Sequence, residues 1–187
     1  MARLQHHVTS GDNRSMPSLQ AALPDFLDSA PLRVVSEVTV LAPIADCWSL
    51  LADQASWVQW FDGMTAVQAT PWVWTEPGQT RVVTINGLNV HETAISLEPE
   101  HEYAFTITKW PLPTASMVAE GVRLQDRTNL GSPRTTLTYI GAVEPTTIGK
   151  PAEGLLQKQL ASTWEKSLRR MGDFAAKRAA QRAASHG

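Results

Sequence analysis

Six extended runs follow one another between residues 65 and 143, and one long amphipathic segment comes after them. The runs are rich in β-branched and aromatic residues and are separated by turn-forming residues, which predicts strands. Asn86-Gly87 joins two of them, the strongest short hairpin signal. Consecutive strands with short connections predict an antiparallel meander. The predicted strands are Thr65–Thr70, Thr80–Ile85, Leu88–Leu97, Glu102–Trp110, Met117–Gln125 and Thr135–Val143.

The last segment is predicted to be one helix with a single apolar stripe. Apolar residues recur there every three or four positions over about five turns, and charged residues fall elsewhere. Gly172 is expected to weaken this helix slightly. One antiparallel sheet cannot bury its apolar face without a cover, and the helix supplies it, so the chain is predicted to be α+β. The stripe consists of Leu155 or Leu156, Leu160, Trp164, Leu168, Met171 and Ala175.

One further strand and two short helices are predicted before the meander. The β-branched run Val34–Leu41 reads as a strand, and Pro43 ends it. Apolar residues then recur with helical spacing over Ile44–Ala52, where Cys47 is on the buried stripe and is expected to be a packing residue. A second helical turn is predicted from about Gln54 to Trp60.

The chain is divided into three predicted parts. Residues 1–31 are expected to form a peripheral arm with one short helix, or alternatively a lid or a dimer contact, because turn formers and Pro24 interrupt the helical spacing. Residues 32–176 are expected to form the ordered domain. The tail 177–187 is rich in Ala and Arg and is expected to fray.

Composition excludes several classes of function. Sixteen Lys and Arg against 18 Asp and Glu give a net charge of −2, whereas a nucleic-acid partner would require a basic excess. A single cysteine fits a reducing compartment. Residues 1–12 lack the apolar run of a signal peptide, and no stretch approaches the roughly 20 apolar residues of a membrane span. We therefore expect a cytoplasmic protein. No metal-binding motif is present, and no metal or cofactor is expected.

The segment Val35–Asp53 resembles the opening of the SRPBCC superfamily, which includes polyketide cyclase/dehydrases and START-like lipid-transport proteins. The family pattern runs from a strand through a small-Ala-Pro turn into a helix with a Trp and a Leu-Leu-Ala-Asp-like end, followed by spaced aromatic residues. Thr135–Tyr139 is similar to a later strand of the family, although a plain Gly-Thr is missing. The resemblance covers about residues 32–176. Matching positions are Trp48, Asp53, Trp57, Trp60, Phe61, Gly87 and Glu92.

This resemblance implies a helix-grip fold, in which a curved antiparallel sheet of about seven strands wraps around the long C-terminal helix. It also implies binding of a hydrophobic small molecule, of lipid, polyketide or aromatic type, in a cavity between the sheet and that helix. Two alternatives remain open: a cyclase/dehydratase-like enzyme that uses a cavity His or carboxylate, and a protein-interaction module without a ligand. The family shares no catalytic residue, so none is carried over. A homodimer is also compatible with it.

Candidate ligand contacts are mainly aromatic, as is usual for apolar pockets. Trp164 is the leading candidate, because it lies in the middle of the helix stripe and must face the sheet. Trp48 and Trp57 are assigned to packing. Trp72 and Trp74 are two residues apart in an extended segment, so they are expected to share one face as a rim or a partner patch. The candidate set is Trp60, Phe61, Trp74, His91, Phe105, Met117, Tyr139, Leu160 and Trp164.

Two faces are left undecided by the pattern. In Leu88–Leu97, either His91 or Glu92 points inward, and either could be a hydrogen-bonding group or a general base. Glu120 lies in an apolar row, where a carboxyl would have a raised pKa or need a partner. The opposite face of that strand carries Met117, Ala119, Gly121 and Arg123, a set expected to leave room for a ligand.

Overall fold

A seven-stranded antiparallel sheet and one long helix dominate the structure, a computed structural model that describes residues 16–129, 131–148 and 153–185. The strands lie side by side in the order β1-β7-β6-β5-β4-β3-β2. The six-strand meander is therefore observed, with the first strand added next to the last. The strands are β1 (Leu32–Val40), β2 (Met64–Thr70), β3 (Thr80–Ile85), β4 (Leu88–Glu98), β5 (Glu102–Lys109), β6 (Ala115–Asp126) and β7 (Thr135–Pro145).

The helices confirm the predicted helix-grip arrangement. Two short helices, α2 (Ile44–Ala52) and α3 (Trp57–Trp60), follow β1 and are joined by a 3-10 turn, while α4 (Glu153–Ser185) covers the sheet. A further single turn, α1 (Phe26–Ser29), precedes β1. The side chains of Leu155 and Leu156, one of which was predicted to begin the stripe, lie outside the described residues.

The core lies between α4 and the inner face of the sheet. Every second residue of β1 is buried, from Leu32 to Val40, which is the pattern of a strand covered on one face. Along α4, Trp164, Leu168 and Met171 are buried with them. Burial of each such side chain contributes about 1.5–3 kcal/mol, so the stripe and the strand hold each other in place.

Gly172 lies where α4 packs closely against β1, a role that helix propensity does not describe. A Cβ at this position would lie 2.3 Å from Cγ1 of Val40. The missing side chain therefore lets the axis of α4 approach β1 closely. The expected small loss of helix stability is the cost of that contact.

Residues 16–31, the described part of the predicted arm, are packed onto the sheet. The N–H of Leu19 donates to the carbonyl of Thr108 on β5 at 3.0 Å, and the N–H of Gln20 donates to that of Ser116 on β6 at 2.9 Å. This segment thus stands between the two strands where their own pairing has ended. Leu27 then packs in a cluster on the outer face of the sheet. Residues 1–15 of the arm lie outside the described residues.

The C-terminal tail, which was expected to fray, continues α4 as far as Ser185. Arg182 forms an ion pair with Asp46 of α2 at 2.5 Å, and Arg178 approaches Asp53 at 3.6 Å. These pairs attach the last turns to α2, an arrangement that composition alone does not indicate. Residues 186 and 187 are not described. Among the described helices, none has the length and apolar character required to cross a membrane.

Candidate functional site

A cavity of about 280 Å³ lies between α4 and the strands β3 to β7. A second space of about 230 Å³ adjoins it toward β1. We call the first the polar lobe, because Arg81, Glu92 and Glu120 line it, and the second the apolar lobe. The two lobes share five lining residues, which are Ile107, Trp110, Glu120, Leu160 and Trp164.

A buried ion pair lies at the wall of the polar lobe. Nε of Arg81 on β3 donates to Oε2 of Glu92 on β4 at 2.5 Å, and both side chains are almost fully enclosed. The two residues face each other in register across the strands. Burial raises the pKa of Glu92, and the guanidinium of Arg81 opposes that rise. Breaking such a pair would leave an uncompensated buried charge.

Gln54 and three rings hold the guanidinium of Arg81. Nη1 donates to Oε1 of Gln54 at 2.7 Å, and the same oxygen accepts from the hydroxyl of Tyr103 at 3.2 Å. The guanidinium carbon lies 4.0 Å from the ring centroid of Trp57 and 5.0 Å from those of Trp74 and Phe105. Nη2 is buried and has no hydrogen-bond partner among the described residues. These contacts immobilise the cation.

Glu120 of β6 projects into the cavity from an apolar row and is partly accessible there. Its carboxylate accepts a hydrogen bond from the hydroxyl of Tyr139 on β7. Burial raises the pKa of Glu120 to about 7, against the opposing effect of the Tyr139 hydrogen bond. A carboxyl with this pKa exchanges protons readily near neutral pH.

Trp164 of α4 closes the cavity on the helix side. Its ring stacks on that of Tyr139, with centroids 4.6 Å apart. Gly141 makes room for it, because a Cβ there would lie 2.2 Å from Cη2 of Trp164. The glycine in β7 and the aromatic residue on α4 therefore fit together.

Five of the nine residues predicted to contact a ligand line this space. They come from α4, from β5 and β7, and from the end of α3, which places them around the polar lobe on several sides. Leu160 and Trp164 line both lobes. The five residues are Phe61, Phe105, Tyr139, Leu160 and Trp164.

The other four predicted residues lie elsewhere. Trp60 is buried in the core and donates to Oγ of Ser56 at 3.1 Å, and Trp74 is buried against Tyr103. Met117 packs in the cluster on the outer face of the sheet. His91 also lies on the outer face, beside the exposed Trp72, in an open depression.

The structure resolves both undecided faces. Glu92 points inward and His91 outward, because the register pairs Glu92 with Arg81 on the covered face of the sheet. Burial lowers the pKa of His91, with Lys109 as a second cause. The face of β6 with small residues leaves no room for a ligand, since a Cβ at Gly121 would lie 2.9 Å from Cδ1 of Leu27.

Several lining residues were not in the predicted set. Arg81 is the main one. It shares a strand face with the apolar residues Val83 and Ile85, and this alternation is the sequence pattern that indicates an inward side chain. Trp57, which was assigned to packing, lines the polar lobe as well. Trp72 and Trp74 do not share an environment, since the first is 51% exposed and the second 1%. Burial raises the pKa of Cys47 to about 12, so its thiol stays protonated.

The fold has many counterparts among solved structures. Zhui aromatase/cyclase from a Streptomyces species is 18% identical, with a TM-score of 0.62 over 79% of this chain and 94% of that one. The di-domain ARO/CYC StfQ of the steffimycin biosynthetic pathway is 14% identical, with a TM-score of 0.59 over 80% of this chain and 53% of StfQ. XoxI from Bacillus cereus is 14% identical, with a TM-score of 0.58 over 76% of this chain and 94% of XoxI. At these identities the similarity establishes the fold.

Sequence comparison identifies the family. No curated protein matches the chain. The family model described as polyketide cyclase / dehydrase and lipid transport matches residues 31–175, which is most of the chain. The protein therefore belongs to the polyketide cyclase/dehydrase and lipid transport family of the SRPBCC superfamily.

Proposed function

We propose that the protein binds a hydrophobic small molecule, of lipid, polyketide or aromatic type, in the cavity between the sheet and α4. The observation that carries this proposal is the pair of adjoining lobes, of about 280 and 230 Å³. Ligand sites usually measure about 300–1,000 Å³. A ligand that extends across the shared residues Ile107 and Trp110 would occupy both lobes and fall within that range.

The lining supports an apolar ligand with one polar group. The apolar lobe is bounded by side chains such as Leu32, Val118 and Val143, and Glu120 is the only charged residue among the described residues that line it. Ligand sites of this kind combine hydrophobic walls with a few placed polar groups. Because the described side chains leave this space open instead of filling it, a ligand-binding role is favoured over a protein-interaction module without a ligand.

The test is to fill the junction of the lobes. Ile107 lines both lobes and is 4% exposed, so the Ile107→Trp substitution would occupy the space that a ligand needs. Native mass spectrometry of the purified wild-type protein is expected to detect a bound small molecule that the variant lacks. Ile95→Trp, on the other face of the sheet, is the matched control and should retain the molecule. A folded Ile107→Trp variant that still carries the ligand would contradict the proposal.

A second candidate function is proton-transfer catalysis of the cyclase/dehydratase type. It is favoured by the carboxyl of Glu120, which faces the cavity and has a pKa of about 7. Such a group can take a proton from a carbon next to a carbonyl and return it to a departing hydroxyl, which leaves as water. The outward position of His91 leaves the carboxylate as the candidate base.

This second function can be tested without knowing the natural substrate. Exchange of the α-hydrogen of a small aromatic ketone such as tetralone is followed by NMR in heavy water. The wild-type protein is expected to accelerate the exchange, and Glu120→Gln is expected to abolish the acceleration. Glu144→Gln, an exposed carboxylate on β7, is the control. Equal exchange rates in the wild type and Glu120→Gln would exclude Glu120 as the base.

A further inference from the structure

We propose that the cavity selects ligands whose polar group donates a hydrogen bond, namely an alcohol, a phenol or a protonated amine, and rejects carboxylates. This inference rests on the proposed function and specifies the chemistry of its ligand. It follows from the charges around Glu120, from the free oxygen of its carboxylate and from the rings that surround it.

The charges that line the polar lobe are paired except for one. Among the described lining residues, Arg81 and Glu92 neutralise each other. Asp62 is paired with Lys166 at 3.0 Å and with Arg170 at 2.9 Å. The polar residues that α4 contributes to the lining, Gln159 and Thr163, are uncharged. Glu120 has no cationic partner among the described residues.

The hydrogen bonds of Glu120 leave one acceptor available. Tyr139 donates to Oε2, and no other described residue donates to the carboxylate. The carboxyl is partly accessible within the cavity, so Oε1 can accept a bond from a ligand. A ligand that donates there would satisfy a buried acceptor, which is worth more inside a protein than in water.

A ligand carboxylate would find no comparable partner. In the guanidinium of Arg81, Nε donates to Glu92 and Nη1 donates to Gln54. The remaining Nη2 has no partner among the described residues, but it is buried and the side chain is 0% exposed, so the wall that Arg81 forms offers a ligand no accessible donor. The anion would instead lie beside Glu120 in a site with little water. Two carboxylates in one such site disfavour each other's ionisation.

The rings favour the same selection. Trp110, Trp164, Tyr139 and Phe105 line the polar lobe around Glu120. Aromatic faces attract cations and also pack against apolar skeletons. A flat hydrophobic molecule with a donor at one end therefore matches both parts of the lining.

A matched series of ligands tests the inference: naphthylmethylamine, naphthylmethanol and naphthoic acid share one skeleton and differ in the polar group. Dissociation constants are measured by calorimetry at about pH 8, where the carboxyl of Glu120, with a pKa of about 7, is ionised. The amine and the alcohol are expected to bind, and the acid to bind at least ~10-fold more weakly. In Glu120→Gln the acid should gain ~10-fold and the amine should lose ~10-fold.

The control and the outcomes separate the two proposals. Glu144→Gln removes an exposed carboxylate on β7 and should leave all three constants unchanged. Equal affinity for the three compounds, or tightest binding of the acid, would overturn the inference and leave the proposed function standing. Binding of none of them would overturn the proposed function and the inference with it.

Discussion

The hydroxyl of Tyr139 donates a hydrogen bond to the carboxylate of Glu120, while the ring of the same tyrosine stacks on Trp164. Glu120 pairs in register with Gly141, two positions beyond Tyr139 along β7, so the two side chains are diagonal neighbours on the covered face. One residue thus links the carboxyl of the cavity to the helix that closes it.

Replacing Tyr139 with Phe is expected to raise the pKa of Glu120 further above about 7, because the hydroxyl stabilises the ionised carboxylate. Carbon-detected NMR titration of the Glu120 carboxyl measures the shift. Tyr103→Phe is the matched control, since that hydroxyl donates to Gln54 instead. An unchanged or lowered pKa in Tyr139→Phe would show that the hydrogen bond does not stabilise the ionised form.

Glu120→Gln is expected to change how stability depends on pH. The folded pKa, about 7, is above the ordinary value of 4.5, so this carboxyl contributes stability below pH 4.5 that is lost as pH rises through 7. The variant lacks this loss. Relative to the wild type it should therefore gain about 3 kcal/mol of unfolding free energy between pH 4 and pH 8 in urea unfolding. The same free-energy difference at both pH values would contradict the prediction.

Glu92→Gln is expected to destabilise the protein by about 3–5 kcal/mol, because it leaves the enclosed guanidinium of Arg81 without its counter-ion. The double variant Arg81→Met with Glu92→Leu should recover most of that loss, since it removes both charges and keeps an apolar interior. Urea unfolding of the single and double variants measures the two effects. A double variant less stable than Glu92→Gln would show that the ion pair itself stabilises the fold.

Gly141→Ala is expected to cost about 1–3 kcal/mol, because the new Cβ would overlap the ring of Trp164. The displaced ring should also change the tryptophan fluorescence of the folded protein. Gly154→Ala is the control: nothing lies within 4 Å of a Cβ there, and alanine favours the helix. Equal stability and fluorescence in Gly141→Ala and the wild type would mean that β7 can shift to accommodate the methyl group.

The helix-grip fold could be predicted because its signals are local. The apolar residues of α4 recur along consecutive turns, and Asn86-Gly87 forms the hairpin between β3 and β4. Asn86 and Gly87 both adopt a left-handed backbone conformation, with φ of 49° and 80°, which these two residue types tolerate well. The sheet-facing position of Trp164 could be predicted for the same reason, since the single apolar stripe of α4 must face the sheet and Trp164 lies in its middle.

The polar part of the cavity could not be predicted in the same way. His91 and Glu92 are adjacent on a strand that has polar residues on both faces. The alternation of apolar and polar residues therefore does not indicate which of the two side chains points inward. Arg81 was missed because a charged residue in a short strand usually faces solvent. Its burial depends on Glu92 across the hairpin, Gln54 from the 3-10 turn and the ring of Trp57.

The elements, their order and the apolar stripe of α4 can be predicted from the amino-acid sequence, because periodicity and turn chemistry act over a few residues. Three features become visible only in the folded chain: Glu92 points inward to Arg81, Tyr139 contacts Glu120, and residues 18–20 lie between β5 and β6. Each of these depends on strand register and on groups far apart in the chain. A buried charge or carboxyl is tolerated only where such distant partners converge on it.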